Sequence, residues 1–260
     1  MSQPLEGYAV MVTRPEEQAQ TLIGEIERHG GQVVFAPMIA IEPKVSPQAR
    51  AMIDAIDSYD AVVFISRNAV EHGLRLLHDA GRTLTGQAVF AVGVGTAGRL
   101  RELGVKEVHT PKNEFSSEGL LKVPGLSAHA IDGRRVLIMR GAGGRELLAQ
   151  ALQQRGAQVD YCEVYARTVP SIRLTDVLRN SNITAPDIAI ITSPEALTNL
   201  ADKIDQEGLD VMYDVPLMVA GGRTAQEVER LGFTLEPVMV DNPGDRSIVE
   251  ALVRWASNEQ

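Results

Sequence analysis

Two hydrophobic patterns alternate along the chain. Short unbroken apolar runs lead, after a turn, into stretches with an apolar residue every three or four positions. Tyr8-Ala-Val-Met-Val-Thr13-Arg14 reads as a buried strand entering a turn. Behind it, Ala19, Leu22, Ile23 and Ile26 share one helical face, and Gly30 is a helix stop. Arg135-Val-Leu-Ile-Met-Arg140 opens the same series, with Leu147, Leu148, Ala151 and Leu152 on the helix face and Gly156 as the stop. Arg14 and Arg140 are 126 positions apart, and so are Gly30 and Gly156. Gln32-Val33 matches Gln158-Val159 at the same spacing.

The repetition continues. Asp60-Ala-Val-Val-Phe-Ile-Ser66 matches Asp187-Ile-Ala-Ile-Ile-Thr-Ser193 at an offset of 127, with Ala69 and Ala196 three residues after each serine. Ala91-Val-Gly93-Val-Gly-Thr96-Ala97 matches Val219-Ala-Gly221-Gly-Arg-Thr224-Ala225 at an offset of 128. Helical stretches follow and stop at Leu103-Gly104 and Leu231-Gly232. Several anchors in order, drifting by two residues, predict an internal duplication.

Each half reads as strands alternating with helices. That pattern predicts a parallel sheet with helices on both faces. Such sheets bind ligands outside the carboxyl ends of their strands, near helix N-termini. The shared motifs fall there: Thr13-Arg14, Ser66, Gly93-x-x-Thr96, Arg140-Gly141, Ser193 and Gly221-x-x-Thr224. A serine or threonine at that place either caps the helix, worth ~1 kcal/mol, or faces a ligand. The sequence leaves both roles open.

Gly93-Val-Gly95-Thr-Ala-Gly98 matches the dinucleotide fingerprint G-x-G-x-x-G. Three features argue against that reading. The repeat places Arg223 and Gln226 where Gly95 and Gly98 stand. The motif lies on a late strand of its unit. No strand ending in an acidic residue follows at about 20 residues, where a ribose partner belongs. Backbone amides approaching an anion explain the glycines better.

Val33 to Pro43 and Val159 to Pro170 are long extended runs closed by proline. Each exceeds the usual strand of about 5–6 residues. They are either two long strands of one sheet or a ribbon that crosses between two domains. The pattern does not choose.

Composition narrows the function. The chain has 260 residues, 44% of them hydrophobic and 23% charged, as in ordinary globular proteins. Its net charge of −9 argues against general nucleic-acid binding. An anionic substrate stays possible, since exposed charges are screened beyond ~8 Å. Of 25 basic residues, 20 are arginine, either a compositional habit or a preference for bidentate carboxylate recognition. One cysteine, Cys162, excludes an intramolecular disulfide. No His/Cys set has zinc spacing. No apolar run reaches the ~18 residues of a membrane helix, and the N-terminus does not read as a signal peptide. A cytoplasmic protein is the expectation.

Together these residues resemble uroporphyrinogen-III synthase over essentially the whole chain. The resemblance rests on Val-Thr13-Arg14-Pro15, Pro37-Met-Ile with Ile41-Glu-Pro43, Phe64-Ile-Ser66 with Asn68-Ala-Val70, and Ala91-Val-Gly93 with Thr96-Ala97. Leu137-Ile-Met-Arg140-Gly141, Val164-Tyr165, Ser193, and Gly221 with Thr224-Ala225 complete it. Each motif is weak alone; their order and spacing are specific.

The resemblance implies an α/β fold of two parallel-sheet domains of similar size, joined by a two-stranded linker with crossover. Residues 1–36 plus 171–260 would form the first domain and 41–165 the second, with linkers at 37–40 and 166–170. It implies an active site in the cleft between them. The implied enzyme is a cyclising lyase of heme biosynthesis. It closes hydroxymethylbilane to uroporphyrinogen III, losing water and inverting the last pyrrole ring through a spiro intermediate, with neither metal nor organic cofactor. The implied protein is a cytoplasmic monomer, independent of nucleic acid and membrane, with transient contact to the preceding pathway enzyme.

Tyr165, in the second long extended run and at the cleft that the resemblance implies, is the expected catalytic acid, because a phenol is protonated at neutral pH and can donate. Thr13, Arg14, Ser66, Gly93, Thr96, Arg140, Gly141, Ser193, Gly221 and Thr224 are the expected substrate-binding residues. Arg67, Arg145, Arg167 and Arg223 are further carboxylate receptors at or beside predicted strand ends or the linker. Two rivals remain: a tetrapyrrole sensor without turnover, and the nucleotide-dependent oxidoreductase already weakened above.

Overall fold

The computed structural model describes residues 3–144 and 146–258. Strand β1 (Ala9–Val12), helix α1 (Glu16–Arg28) and β2 (Gln32–Phe35) open the chain. Then come β3 (Ala40–Pro43), α2 (Pro47–Asp54), β4 (Ala61–Phe64), α3 (Arg67–Asp79), β5 (Ala88–Ala91) and α4 (Val94–Glu102). Two short helices, α5 (Ser117–Leu120) and α6 (Ala128–Ile131), precede β6 (Arg135–Gly141), α7 (Leu147–Gln154) and β7 (Gln158–Thr168). The chain ends with α8 (Leu174–Asn180), β8 (Ile188–Ile191), α9 (Pro194–Glu207), β9 (Leu217–Ala220), α10 (Gly222–Arg230), β10 (Val238–Val240) and α11 (Asp245–Asn258).

These elements form two compact units. One comprises Met1–Ala40 and Thr168–Gln260, the other Ile41–Arg167. Residues 37–40 therefore belong to the first unit. Of residues 166–170, the first two belong to the second unit and the rest to the first. The strand order is β10-β9-β8-β1-β2 in the first unit and β3-β7-β6-β4-β5 in the second. Both sheets are built on parallel pairs.

The two long extended runs diverge. The second is one 11-residue strand, β7, running beside β6. The first is broken at Ala36–Ile39, so β2 lies in one sheet and β3 in the other. The break is held by backbone bonds: Ala36 N–H donates to Val12 O at 3.0 Å, and Met38 N–H to Thr13 O at 2.9 Å. Pro37 between them has no N–H to continue a ladder.

In the Ile41–Arg167 unit, alternate strand residues serve alternate faces. Val62, Phe64, Val89, Leu137 and Met139 pack with Ile53 of α2, Val70 and Leu77 of α3 and Leu100 of α4. Ala61, Val63, Phe90, Val136 and Ile138 pack with Leu120, Leu126, Ile131, Leu148 and Leu152 on the other face. In the first unit, Val10, Val12, Ile188, Ile190 and Met218 pack on α1 and α11.

Helix α1 buries Ala19, Leu22 and Ile26, and α7 buries Leu148, Ala149 and Leu152. Leu147, expected on the buried face, is 38% exposed. It is the first residue of its helix, where the turn is entered from the rim loop. Gly30 and Gly156 both have φ of +90°, the left-handed region that stops a helix most cheaply with glycine.

Helix α9 carries a polar stripe that holds both connecting segments. Asn199 Nδ2 donates to Met38 O at 2.8 Å, and the buried Lys203 Nζ donates to Ile172 O at 2.8 Å. Glu207 accepts from the amides of Leu174 and Thr175 at 2.8 and 2.9 Å, capping α8. Residues four apart on a helix share a face, so one helix grips three points.

Candidate active site

In the Ile41–Arg167 unit, β4, β5 and β6 run parallel and deliver their carboxyl ends to one rim. Ser66 follows β4 and caps α3, its Oγ accepting from Ala69 N–H at 3.0 Å. Gly93 occupies the cap position of α4, and Thr96 lies in its first turn, 8% exposed.

Tyr165 of β7 is 4% exposed. Its phenol oxygen lies 3.1 Å from Ser66 Oγ, and its ring stacks on His72 with centroids 5.7 Å apart. Its carbonyl accepts from Ala142 N–H at 2.7 Å. Gly141 faces the ring so closely that a Cβ there would lie 2.6 Å from Tyr165 Cζ. The serine hydroxyl has one proton and two acceptor sites. One acceptor site takes the Ala69 amide. The Ser66 proton can then be donated to the phenol oxygen, which leaves the phenol's own proton free for another group.

Arg140, at the end of β6, is 4% exposed. Its Nε donates to Gly141 O at 3.1 Å, and its guanidinium lies 4.4 Å from the centroid of Tyr161. Among the described residues no carboxylate forms an ion pair with it. Burial pushes the Tyr161 phenol up, and the Arg140 charge opposes that shift. Arg145 lies outside the described residues. Glu163, beside this loop, is held below the ordinary carboxylate range, first by the hydrogen bond from Lys44. Burial pushes the Cys162 thiol up to about 12, which keeps it protonated and unreactive at neutral pH.

The first unit repeats the arrangement with different commitments. Ser193 caps α9, accepting from Ala196 N–H at 3.2 Å. Gly221, with φ of +85°, precedes α10 and is exposed. Thr224 is 2% exposed, and its hydroxyl donates to Ala220 O at 3.2 Å. Thr13 is 1% exposed and donates to Ile190 O at 2.7 Å, tying β1 to β8.

Arg14 is 8% exposed and spends its fork internally. It pairs with the Asp245 carboxylate at the start of α11 and donates to Pro243 O. Arg223 and Arg67 are exposed. The expected residues thus divide three ways. Ser66, Gly141 and Tyr165 meet in one cluster. Gly93, Thr96, Gly221 and Ser193 stand at helix N-termini. Thr13, Thr224, Arg14 and Arg140 are buried and make internal bonds.

Sequence reading missed three contributors. His72 stacks on Tyr165, Asp245 takes Arg14, and Phe115 lies against Gly93. A histidine six residues after a capping serine, on the helix that serine starts, is the one signal that was there to use.

Among the described residues, no group of three or more His, Cys, Asp or Glu side chains stands close enough to hold a metal ion. Among them, too, no helix is long and apolar enough to cross a membrane.

The family model described as uroporphyrinogen-III synthase HemD matches residues 20–244. The uroporphyrinogen-III synthase of Escherichia coli is 28% identical over 247 residues, covering 94% of this chain and 99% of that one. That of Salmonella typhimurium is 28% identical over 248 residues, with the same coverage. The fold matches a mutant uroporphyrinogen III synthase from the extremely thermophilic bacterium Thermus thermophilus, with a TM-score of 0.61 at 18% identity over 98% of this chain and 100% of that one. The sequence match spans both units and the segments between them, and the chain belongs to the uroporphyrinogen-III synthase family.

Proposed function

We propose that this protein cyclises hydroxymethylbilane to uroporphyrinogen III, losing water and inverting the last pyrrole ring. The observation that carries the reading is the Tyr165 cluster. The phenol is fixed from three sides by Ser66, His72 and Gly141, and the Ala142 amide holds the Tyr165 backbone carbonyl, in a chain whose family is defined by this reaction.

The hydroxyl leaves from a carbon conjugated to an electron-rich pyrrole. Tyr165 donates the proton that turns it into water, a step in which a placed acid contributes typically ~10²–10⁴-fold. Arg140 and the amides at the starts of α3, α4, α9 and α10 take substrate carboxylates. Gly93, Gly141, Gly221, Ser66, Ser193 and Thr96 shape those positions. Thr13, Arg14 and Thr224 act from behind, by fixing the strand and helix ends that carry them.

Most of the rate comes from orientation, because closure without a template joins the unrotated ring. The protein works as a monomer in the cytoplasm, needs no cofactor, and receives its unstable substrate by transient contact with the enzyme that makes it. The sensor reading has no observation in its favour. Separating isomers I and III formed from hydroxymethylbilane, with and without the protein, tests the proposal.

A further inference from the structure

Phe115 lies in an irregular stretch between β5 and β6, and it is 51% exposed. Its position follows from the chain's direction. His109 forms a parallel bridge to Phe90, with Ala91 N–H donating to His109 O at 2.9 Å and His109 N–H to Val89 O at 2.8 Å. The chain beyond His109 therefore emerges at the same end of the sheet as Gly93. A Cβ on Gly93 would lie 3.4 Å from Phe115 Cβ.

The turn that carries Phe115 is held firmly. Lys122 Nζ binds Glu114 at 2.6 Å, and Ser116 Oγ donates to Glu114 Oε1 and accepts from Gly119 N–H, both at 3.0 Å. A Cβ on Gly119 would lie 1.8 Å from Glu114 O, so the two backbones touch. The aromatic ring is thus presented on a fixed support. Beside it Val94, the first residue of α4, is 59% exposed. Across the same helical turn stands Arg67, exposed, with its Cδ 3.9 Å from the position of a Cβ on Gly95.

Phe115 approaches Gly93 and Arg67 approaches Gly95, so an exposed aromatic ring and an exposed cation flank the exposed Val94 at the start of α4. Their chemistry suits one kind of guest: a flat, electron-rich ring carrying a carboxylate. The ring covers Phe115 and Val94, removing apolar surface from water. The carboxylate takes the Arg67 fork. Resting on the function proposed above, we infer that Phe115, Val94 and Arg67 grip one carboxylate-bearing pyrrole of the linear tetrapyrrole and hold it during ring closure.

The inference ties two readouts together. Weaker grip raises KM, and a looser chain closes more often without inversion, raising the share of isomer I. The test compares Phe115→Ala and Arg67→Gln with the wild type for KM, isomer ratio and melting temperature on freshly generated hydroxymethylbilane. Arg75→Gln, elsewhere on α3 and paired with Asp79, is the control.

The expected result is a rise in KM of about two- to tenfold for Phe115→Ala, the size of a lost aromatic contact, with more isomer I and an unchanged melting temperature. Arg67→Gln should move both readouts the same way, and Arg75→Gln neither. Unaltered KM and isomer ratio in both variants would overturn the inference. So would a rise in KM accompanied by a lower melting temperature, which marks Phe115 as a structural residue. A wild type that forms no isomer III would overturn the proposed function itself, a distinct outcome.

Discussion

Gly141 and Tyr165 are packed so closely that the glycine has no room for a side chain: a Cβ would sit 2.6 Å from Tyr165 Cζ and 3.0 Å from its hydroxyl oxygen. Backbone and phenol thus define each other's position. Gly141→Ala must push the ring away from Ser66. A displacement of about 1 Å at a reacting group can cost ~10²-fold. We expect kcat to fall by about that factor, with KM changed far less and a stability loss of about 1–3 kcal/mol from overpacking. An unchanged kcat in a folded variant would separate the phenol from the chemistry.

Ser66 has two partners, the Ala69 amide and the Tyr165 phenol. Loss of the cap alone costs ~1 kcal/mol of stability. Ser66→Ala is expected to lower kcat in the wild-type background and to have little further effect in Tyr165→Phe. Independent, multiplying effects on kcat in the double variant would show that Ser66 acts on the substrate without the phenol.

Arg14 and Asp245 are 231 positions apart in sequence yet form one ion pair. The guanidinium is buried, so removing its partner leaves a charge poorly compensated. Asp245→Ala should cost about 2–3 kcal/mol, read as a lower melting temperature. If stability held and substrate bound more tightly instead, Arg14 would be a substrate ligand that Asp245 competes for.

Much of the fold was legible because it is written locally. Apolar runs marked the strands, three-and-four spacing marked α1 and α7, and Gly30 and Gly156 marked the stops. Ser66 and Ser193 were readable as helix caps for the same reason. Other features depend on partners remote in sequence. Val33 to Pro43 reads as one extended run, but its break depends on Val12 and Thr13 accepting the Ala36 and Met38 amides. Arg14 reads as a substrate-binding residue, but its guanidinium is paired with Asp245, remote in sequence. Phe115 belongs to none of the patterned runs; the parallel bridge at His109 brings its segment to the rim.

Glu207 gives a pH signature. Burial alone would raise its pKa, but hydrogen bonds from the Thr175 amide, the Leu174 amide and the Thr175 hydroxyl outweigh it and hold the carboxyl below its ordinary value. A lowered folded pKa stabilises the protein above the unfolded value, and the gain is lost as pH falls through the folded one. Glu207→Gln should therefore melt lower than wild type near neutrality. The gap should narrow below the ordinary carboxylate range. A gap constant from neutral pH down through that range would assign the effect to packing.

The most direct measurement is the isomer composition of the product. Freshly generated hydroxymethylbilane is incubated with and without the folded protein, the porphyrinogens are oxidised, and isomers I and III are separated by chromatography. The account requires isomer III in excess with the protein and isomer I without it. Isomer I alone in both samples would contradict it.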